Sequence, residues 1–137
     1  MLVLDTGPLF AALDADDADH ERCAHLIRDA REDLVIPAPV LVEVDYFVRK
    51  LLGLDAWATL VADIVEGAYR LVNVDERTLE RAAELERTYA SLPLGLVDAS
   101  VIATCERLGE TKVATLDRRH FSVVRPQHCE ALTLLPG

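Results

Sequence analysis

Apolar residues fall along this chain in short uninterrupted runs, separated by longer stretches in which they recur every three or four positions. The runs at Leu2–Leu4, 34–36, 70–74 and 112–116 have the length and β-branched content of buried strands, and a weaker fifth lies at 131–135. Between them the helical period predicts a short helix after Pro8, then helices over 18–31, 39–52, 55–66, 75–90 and 95–108. Uninterrupted apolar strands alternating with helices specify an α/β fold: a central parallel sheet of four or five strands with helices on both faces. No repeat, low-complexity tract or Gly/Ser linker divides the chain, so residues 1–137 are expected to form one domain. In sheets of this class, ligands bind at the carboxyl ends of the strands.

Four acids fall where that edge is predicted. Asp5 closes the first run in "LVLDTGPLF" and Asp117 closes the fourth in "ATLDRRHF". In "PAPVLVEVDYFVRKLLG", Val40, Val44, Phe47, Val48 and Leu51 mark the buried stripe of a helix, and Glu43 shares its edge. In "LGLVDASVIATCERLG", Asp98 heads the line of Ile102 and Cys105, beside the stripe of Val97, Val101 and Leu108. Each acid alone has a structural explanation. Asp5 fits a cap or turn ahead of Pro8, Glu43 the positive end of its helix, Asp98 an N-cap and Asp117 a turn. Those explanations do not account for all of them falling on one side of the sheet. Carboxylates gathered there repel and raise one another's pKa unless a cation sits among them, and hard oxygen ligands select Mg²⁺ or Mn²⁺. Such ions support attack of water on a phosphodiester. No rival chemistry is offered: Ser91, Ser100 and Ser122 lie outside any G-x-S-x-G, and there is neither a P-loop nor a G-x-G-x-x-G.

Composition narrows this further. A formal charge of -10 over 137 residues excludes nucleic-acid binding through a general basic surface, but not through a metal-neutralised site. Three cysteines without a CxxC pair point to a reducing compartment. With no signal-like start and no apolar run near ~18 residues, a cytoplasmic protein without membrane contact is expected. "DADDADHE", at 14–21, fails as a calcium loop: Ala18 stands at a ligand position, Asp19 where Gly is needed and His25 where Glu should close it. The acidic stretch from Asp14 to Asp19 is instead a solvated loop leading into a helix. His20 and His25 lack the i+4 spacing of a helical metal pair, and Arg49 and Lys50 fit a solvated helix end. Arg118 and Arg119 read either as an exposed turn or as local phosphate contacts beside the acids. For the apolar helix over 57–69, core packing is the preferred reading over a partner or dimer surface.

The four acidic blocks, from Met1 to about Arg125, resemble in order and spacing those of the PIN-domain ribonucleases, in particular the toxins of VapBC-type toxin–antitoxin pairs. The resemblance implies that Asp5, Glu43, Asp98 and Asp117 form an acidic quartet that binds Mg²⁺ or Mn²⁺ and cuts RNA. Asp5 and Asp98 would be the principal ligands, Glu43 a ligand or water-orienting group and Asp117 the outer ligand. Thr6 and Thr115 match hydroxyl residues expected to position water or a ligand carboxylate. A VapB-type antitoxin and a homodimer are the implied protein partners. His120 departs from the pattern, since relatives often carry an acid there, as in "LDRRDF". Two other readings stay open: a PIN-like RNA-processing nuclease without antitoxin, and a non-catalytic module that keeps the fold. A receiver-type phosphoacceptor is disfavoured because Lys112 stands at the strand start, not its end.

Overall fold

A computed structural model describes residues 1–137. The elements run β1 (Leu2–Leu4), α1 (Thr6–Leu13), α2 (His20–Arg28), β2 (Leu34–Pro37), α3 (Ala38–Leu51), α4 (Leu54–Val65), β3 (Arg70–Val72), α5 (Glu76–Thr88), α6 (Leu96–Leu108), β4 (Lys112–Ala114), α7 (Arg118–Phe121) and β5 (Thr133–Leu135). All five strands are parallel, in the order β3-β2-β1-β4-β5. The connections from β1 through β3 step one way across the sheet, and those from β3 through β5 return past β1 to the other side. Right-handed crossovers therefore lay their helices on opposite faces. The order reverses between β1 and β4, where an α/β sheet opens a crevice at its carboxyl edge.

Burial follows the runs. Val3, Leu4, Val35, Ile36, Val113 and Ala114 are fully buried in the central strands, as both-face coverage of a parallel sheet requires. Helix α6 is buried without interruption from Ala99 to Cys105, because it packs against α5, α3, β1 and β2 at once. It ends at Gly109, whose φ of 67° is the left-handed conformation that a helix-closing glycine adopts without strain. At the other end of the partner helix, Asp75 caps α5 through the Thr78 N–H at 2.8 Å.

Several boundaries differ from the sequence reading for local reasons. Helix α1 starts at Thr6, two residues before Pro8, which occupies the first turn where its missing N–H is not needed. Helix α2 starts only at His20, because the acidic stretch before it folds into turns: Asp14 and Asp17 accept the N–H groups of Asp16 and Asp19 at 3.0 and 2.8 Å. Helix α7, four residues long, is too short to show a period in sequence.

Two packing expectations are corrected. In α3 the buried line is Val40, Val44 and Val48, while Phe47 and Leu51 are 41% and 59% exposed. In α4 only Leu60 is fully buried, and Leu54, Val61 and Val65 face outward. The core-packing reading of 57–69 holds for one face only: Leu60 is part of the core with Trp57, Ile64 and Tyr69 packed against it, while α4 stacks mainly on α3 and its outer face stays open. No helix is long and apolar enough to cross a membrane.

Candidate metal centre

The backbone N–H of Asp5 donates to the Ala114 carbonyl at 2.9 Å, so β1–β4 pairing delivers this side chain directly at the carboxyl edge of the sheet. Asp5 is only 6% exposed. The Thr115 hydroxyl donates to Asp5 Oδ2 at 2.8 Å and accepts the Asp117 N–H at 3.0 Å. One buried hydroxyl thus bridges the strand-end residues of β1 and β4. Asp5 stands at the N-cap position of α1 without making a side-chain cap, which leaves its carboxylate to the cleft.

Glu43 arrives from the second turn of α3, where the Thr6 hydroxyl donates to its Oε1 at 2.6 Å. Asp98 lies in the first turn of α6, near the positive end of that helix. Asp117 caps α7: its Oδ1 accepts the His120 N–H at 3.1 Å. The side chains of Asp98, Asp117 and His120 present ligand atoms within 4.8 Å of one another. Both predicted hydroxyls therefore orient carboxylates, Thr6 that of Glu43 and Thr115 that of Asp5.

Asp5 and Glu43 lie outside the close group of Asp98, Asp117 and His120, and it is electrostatic repulsion that couples them to it. Burial pushes the Asp5 carboxyl up to about 6, with Asp98 and Glu43 adding to the rise against the Thr6 backbone N–H and the Thr115 hydroxyl. Asp98 is raised too, first by burial and then by Asp117 and Glu43, against the contact with His120. The mutual repulsion inferred from sequence is present, but desolvation is the larger cause. One buried and three half-buried acids that repel one another, two of them held by neutral hydroxyl donors, are the donor set that a hard divalent cation neutralises.

Other sequence candidates sort around this cluster. Arg118 and Arg119 are both exposed next to Asp117, and the Arg118 guanidinium also donates to the Pro136 carbonyl at 2.9 Å. The acidic loop before α2 takes no part. A cleft of about 440 Å³ lined by Asp75, Arg77, Arg81 and Arg107 contains none of the four acids. The residue that sequence reasoning underrated is His120, whose Nδ1 lies 2.8 Å from Asp98 Oδ2 and 2.9 Å from Asp117 Oδ2. Its signal was the three-residue spacing from Asp117, which matters only if a helical turn follows that acid.

Known proteins share this arrangement of elements. The model of the PIN domain family matches residues 2–125. Ribonuclease VapC26 of Mycobacterium tuberculosis is 32% identical over 135 residues, covering 98% of this chain and all of that protein. The sarcin-ricin loop cleaving toxin VapC20 of the same organism superposes with a TM-score of 0.77 at 21% identity, over 82% of this chain and 87% of that one. A toxin–antitoxin complex from Klebsiella pneumoniae gives a TM-score of 0.69 at 18% identity, over 90% and 92% of the respective chains.

Proposed function

The chain belongs to the PIN-domain family, and from that membership we propose that it is a divalent-metal-dependent endoribonuclease, the toxin of a toxin–antitoxin pair. The full-length similarity to a VapC ribonuclease supports the activity, and the fold shared with a toxin–antitoxin complex supports the pairing. What supports the chemistry is the close grouping of Asp98 and Asp117, with Asp5 and Glu43 from two further segments near enough to repel Asp98, at the edge where the strand order reverses.

In this reading Asp5, Asp98 and Asp117 hold Mg²⁺ or Mn²⁺, and Glu43 is a further ligand or orients water. The ion supplies activation of water and charge stabilisation at the phosphodiester. Thr6 and Thr115 keep two of the carboxylates in place, since each donates its hydroxyl proton to one oxygen of an acid and so fixes its rotation. Burial of Asp5 matters as well: a carboxylate that water cannot solvate gains more from a cation than an exposed one does. Arg118 and Arg119 provide local positive charge for RNA phosphates on an otherwise acidic protein. The antitoxin and a second copy of the chain each need an apolar contact surface. Val42, Tyr46, Leu51, Leu54 and Val65, exposed along α3 and α4, supply one.

The test is cleavage of RNA by purified protein with and without excess chelator, alongside Asp98→Asn. That substitution retains size and helix-start compatibility while removing charge. Cleavage should fall by more than about a hundredfold, roughly 2.7 kcal/mol of transition-state stabilisation. Full cleavage by the variant, or cleavage in chelator, excludes the metal site. Expression of the chain should arrest growth and co-expression of the antitoxin should relieve it; no arrest removes the toxin role and leaves the nuclease.

A further inference from the structure

Helix α7 is one turn long, yet it places a nitrogen donor inside the acidic cluster. Its first cap, Asp117, takes the His120 N–H on Oδ1, and this backward-facing cap folds the imidazole over the same carboxylate. Nδ1 then lies 2.9 Å from Asp117 Oδ2 and 2.8 Å from Asp98 Oδ2, so one ring nitrogen faces two acids from different elements. The ring is held there, with its side chain 16% exposed and the next residue, Phe121, buried in the core.

The geometry has more acceptors than donors. An Nδ1–H is a single bond vector, and of the two carboxylate oxygens it faces only Asp98 Oδ2 lies in hydrogen-bond geometry, which leaves Asp117 Oδ2 close to the ring nitrogen without a well-aligned donor. A cation placed among the three groups can be faced by all of them. An octahedral ion with bonds near ~2.1 Å has adjacent donor atoms about 3.0 Å apart. Both contacts to Nδ1 already have close to that length, and the three donor atoms lie within 4.8 Å of one another.

We propose that His120 Nδ1 is itself a ligand of the divalent ion held by Asp98 and Asp117, and that this mixed nitrogen–oxygen set favours first-row transition ions over Mg²⁺. The inference rests on the metal-site reading above. Mg²⁺ is a hard ion that dehydrates reluctantly and takes oxygen donors, so exchanging an oxygen for an imidazole nitrogen gains it little. Imidazole is a good donor to the later divalent metals. An acid at position 120 would make an all-oxygen site. Histidine makes a selective one.

Pulsed electron paramagnetic resonance on the full chain loaded with Mn²⁺ reads this without any turnover. Wild-type protein should show a nitrogen coupling to the bound ion, and the coupling should change on labelling histidine with ¹⁵N, which needs no substitution and so no refolding control. In His120→Asp the coupling should vanish while Mn²⁺ still binds. The Mg²⁺ concentration that displaces Mn²⁺, relative to Mn²⁺, should fall by about tenfold or more. Bound Mn²⁺ without nitrogen coupling in the wild type, or coupling that survives in His120→Asp, overturns the ligand role and leaves the metal site standing. Mn²⁺ that does not bind, or that binds Asp98→Asn as well as the parent, overturns the metal site and this inference together.

Discussion

Thr115 and Asp5 are 110 residues apart in the chain, and the hydroxyl of one donates to the carboxylate of the other at 2.8 Å in the buried edge of the sheet. The contact exists because β1 and β4 are adjacent parallel strands whose last residues leave the sheet side by side. It gives an acid of raised pKa a neutral donor, which restrains that rise without supplying the positive charge that would abolish it.

Removing the hydroxyl should therefore act on Asp5 specifically. In Thr115→Val the buried Oδ2 loses its partner, and we expect a loss of about 1–3 kcal/mol in stability. The Asp5 carboxyl should titrate above its wild-type position of about 6, because the Thr115 hydroxyl is one of the groups holding it down. Thr115→Ser should restore most of both. Denaturant unfolding and a carboxyl-carbon NMR titration measure these. An unchanged Asp5 titration in the valine variant would show that the hydroxyl does not govern the acid.

Asp5 also sets a pH dependence whose sign can be worked out. Its folded pKa of about 6 lies above the unfolded value near ~3.9. Between those values the folded state binds more protons, so stability without metal falls as pH rises through the window, by about 3 kcal/mol in all, and stays low above it. Asp5→Asn should remove this decline. At neutral pH the metal-free variant should be at least as stable as the parent, and its melting temperature should respond much less to millimolar Mn²⁺. A metal that binds only the folded parent adds about 2.7 kcal/mol at a hundredfold excess over its dissociation constant. Melts of both proteins at pH 4 and pH 7, with chelator and with Mn²⁺, decide the matter; a destabilised variant with a full Mn²⁺ response would make Asp5 a structural residue.

Away from the acidic site, Arg81 on α5 binds both oxygens of Glu106 on α6 at 2.8 and 3.0 Å, and Glu106 also accepts the Gln127 N–H at 2.8 Å. Side-chain exposures of 21% and 9% make this pair far less screened than a surface bridge. Arg81→Met leaves the Glu106 charge half-satisfied, and a loss of about 2–4 kcal/mol is expected. Cleavage per folded molecule should hold. Chemical denaturation together with an active-fraction assay tests this, and a matching loss of cleavage in fully folded protein would tie the pair to the site.

The apolar face of α3 and α4 should matter for association and not for folding. Val65 and Val42 are 79% and 72% exposed, so Val65→Lys and Val42→Lys should each change monomer stability by no more than about 0.5 kcal/mol. If this face binds a second copy or the antitoxin, light scattering should show a dimer that dissociates, or titration a weakened antitoxin complex. Unaltered assembly in both variants would move the interface elsewhere.

Local pattern was enough to read the strands, because a parallel sheet covered on both faces demands runs such as Leu2–Leu4 with no polar interruption. It was enough, too, to assign Asp5 and Asp117 to one edge, since parallel strands end at the same side. Burial within the helices was less legible. Phe47 and Leu51 fit the helical period of α3 as well as Val48 does, yet which part of an apolar stripe is covered depends on the neighbouring element, and α4 leaves them open. His120 shows the same limit at the site. Its position in sequence marked only a departure from a family pattern. The turn capped by Asp117, and the approach of α6 from across the sheet, brought its ring nitrogen between two carboxylates. Periodicity records which face of an element is apolar; contacts between side chains remote in sequence arise only when the elements pack and their spacing is set in three dimensions.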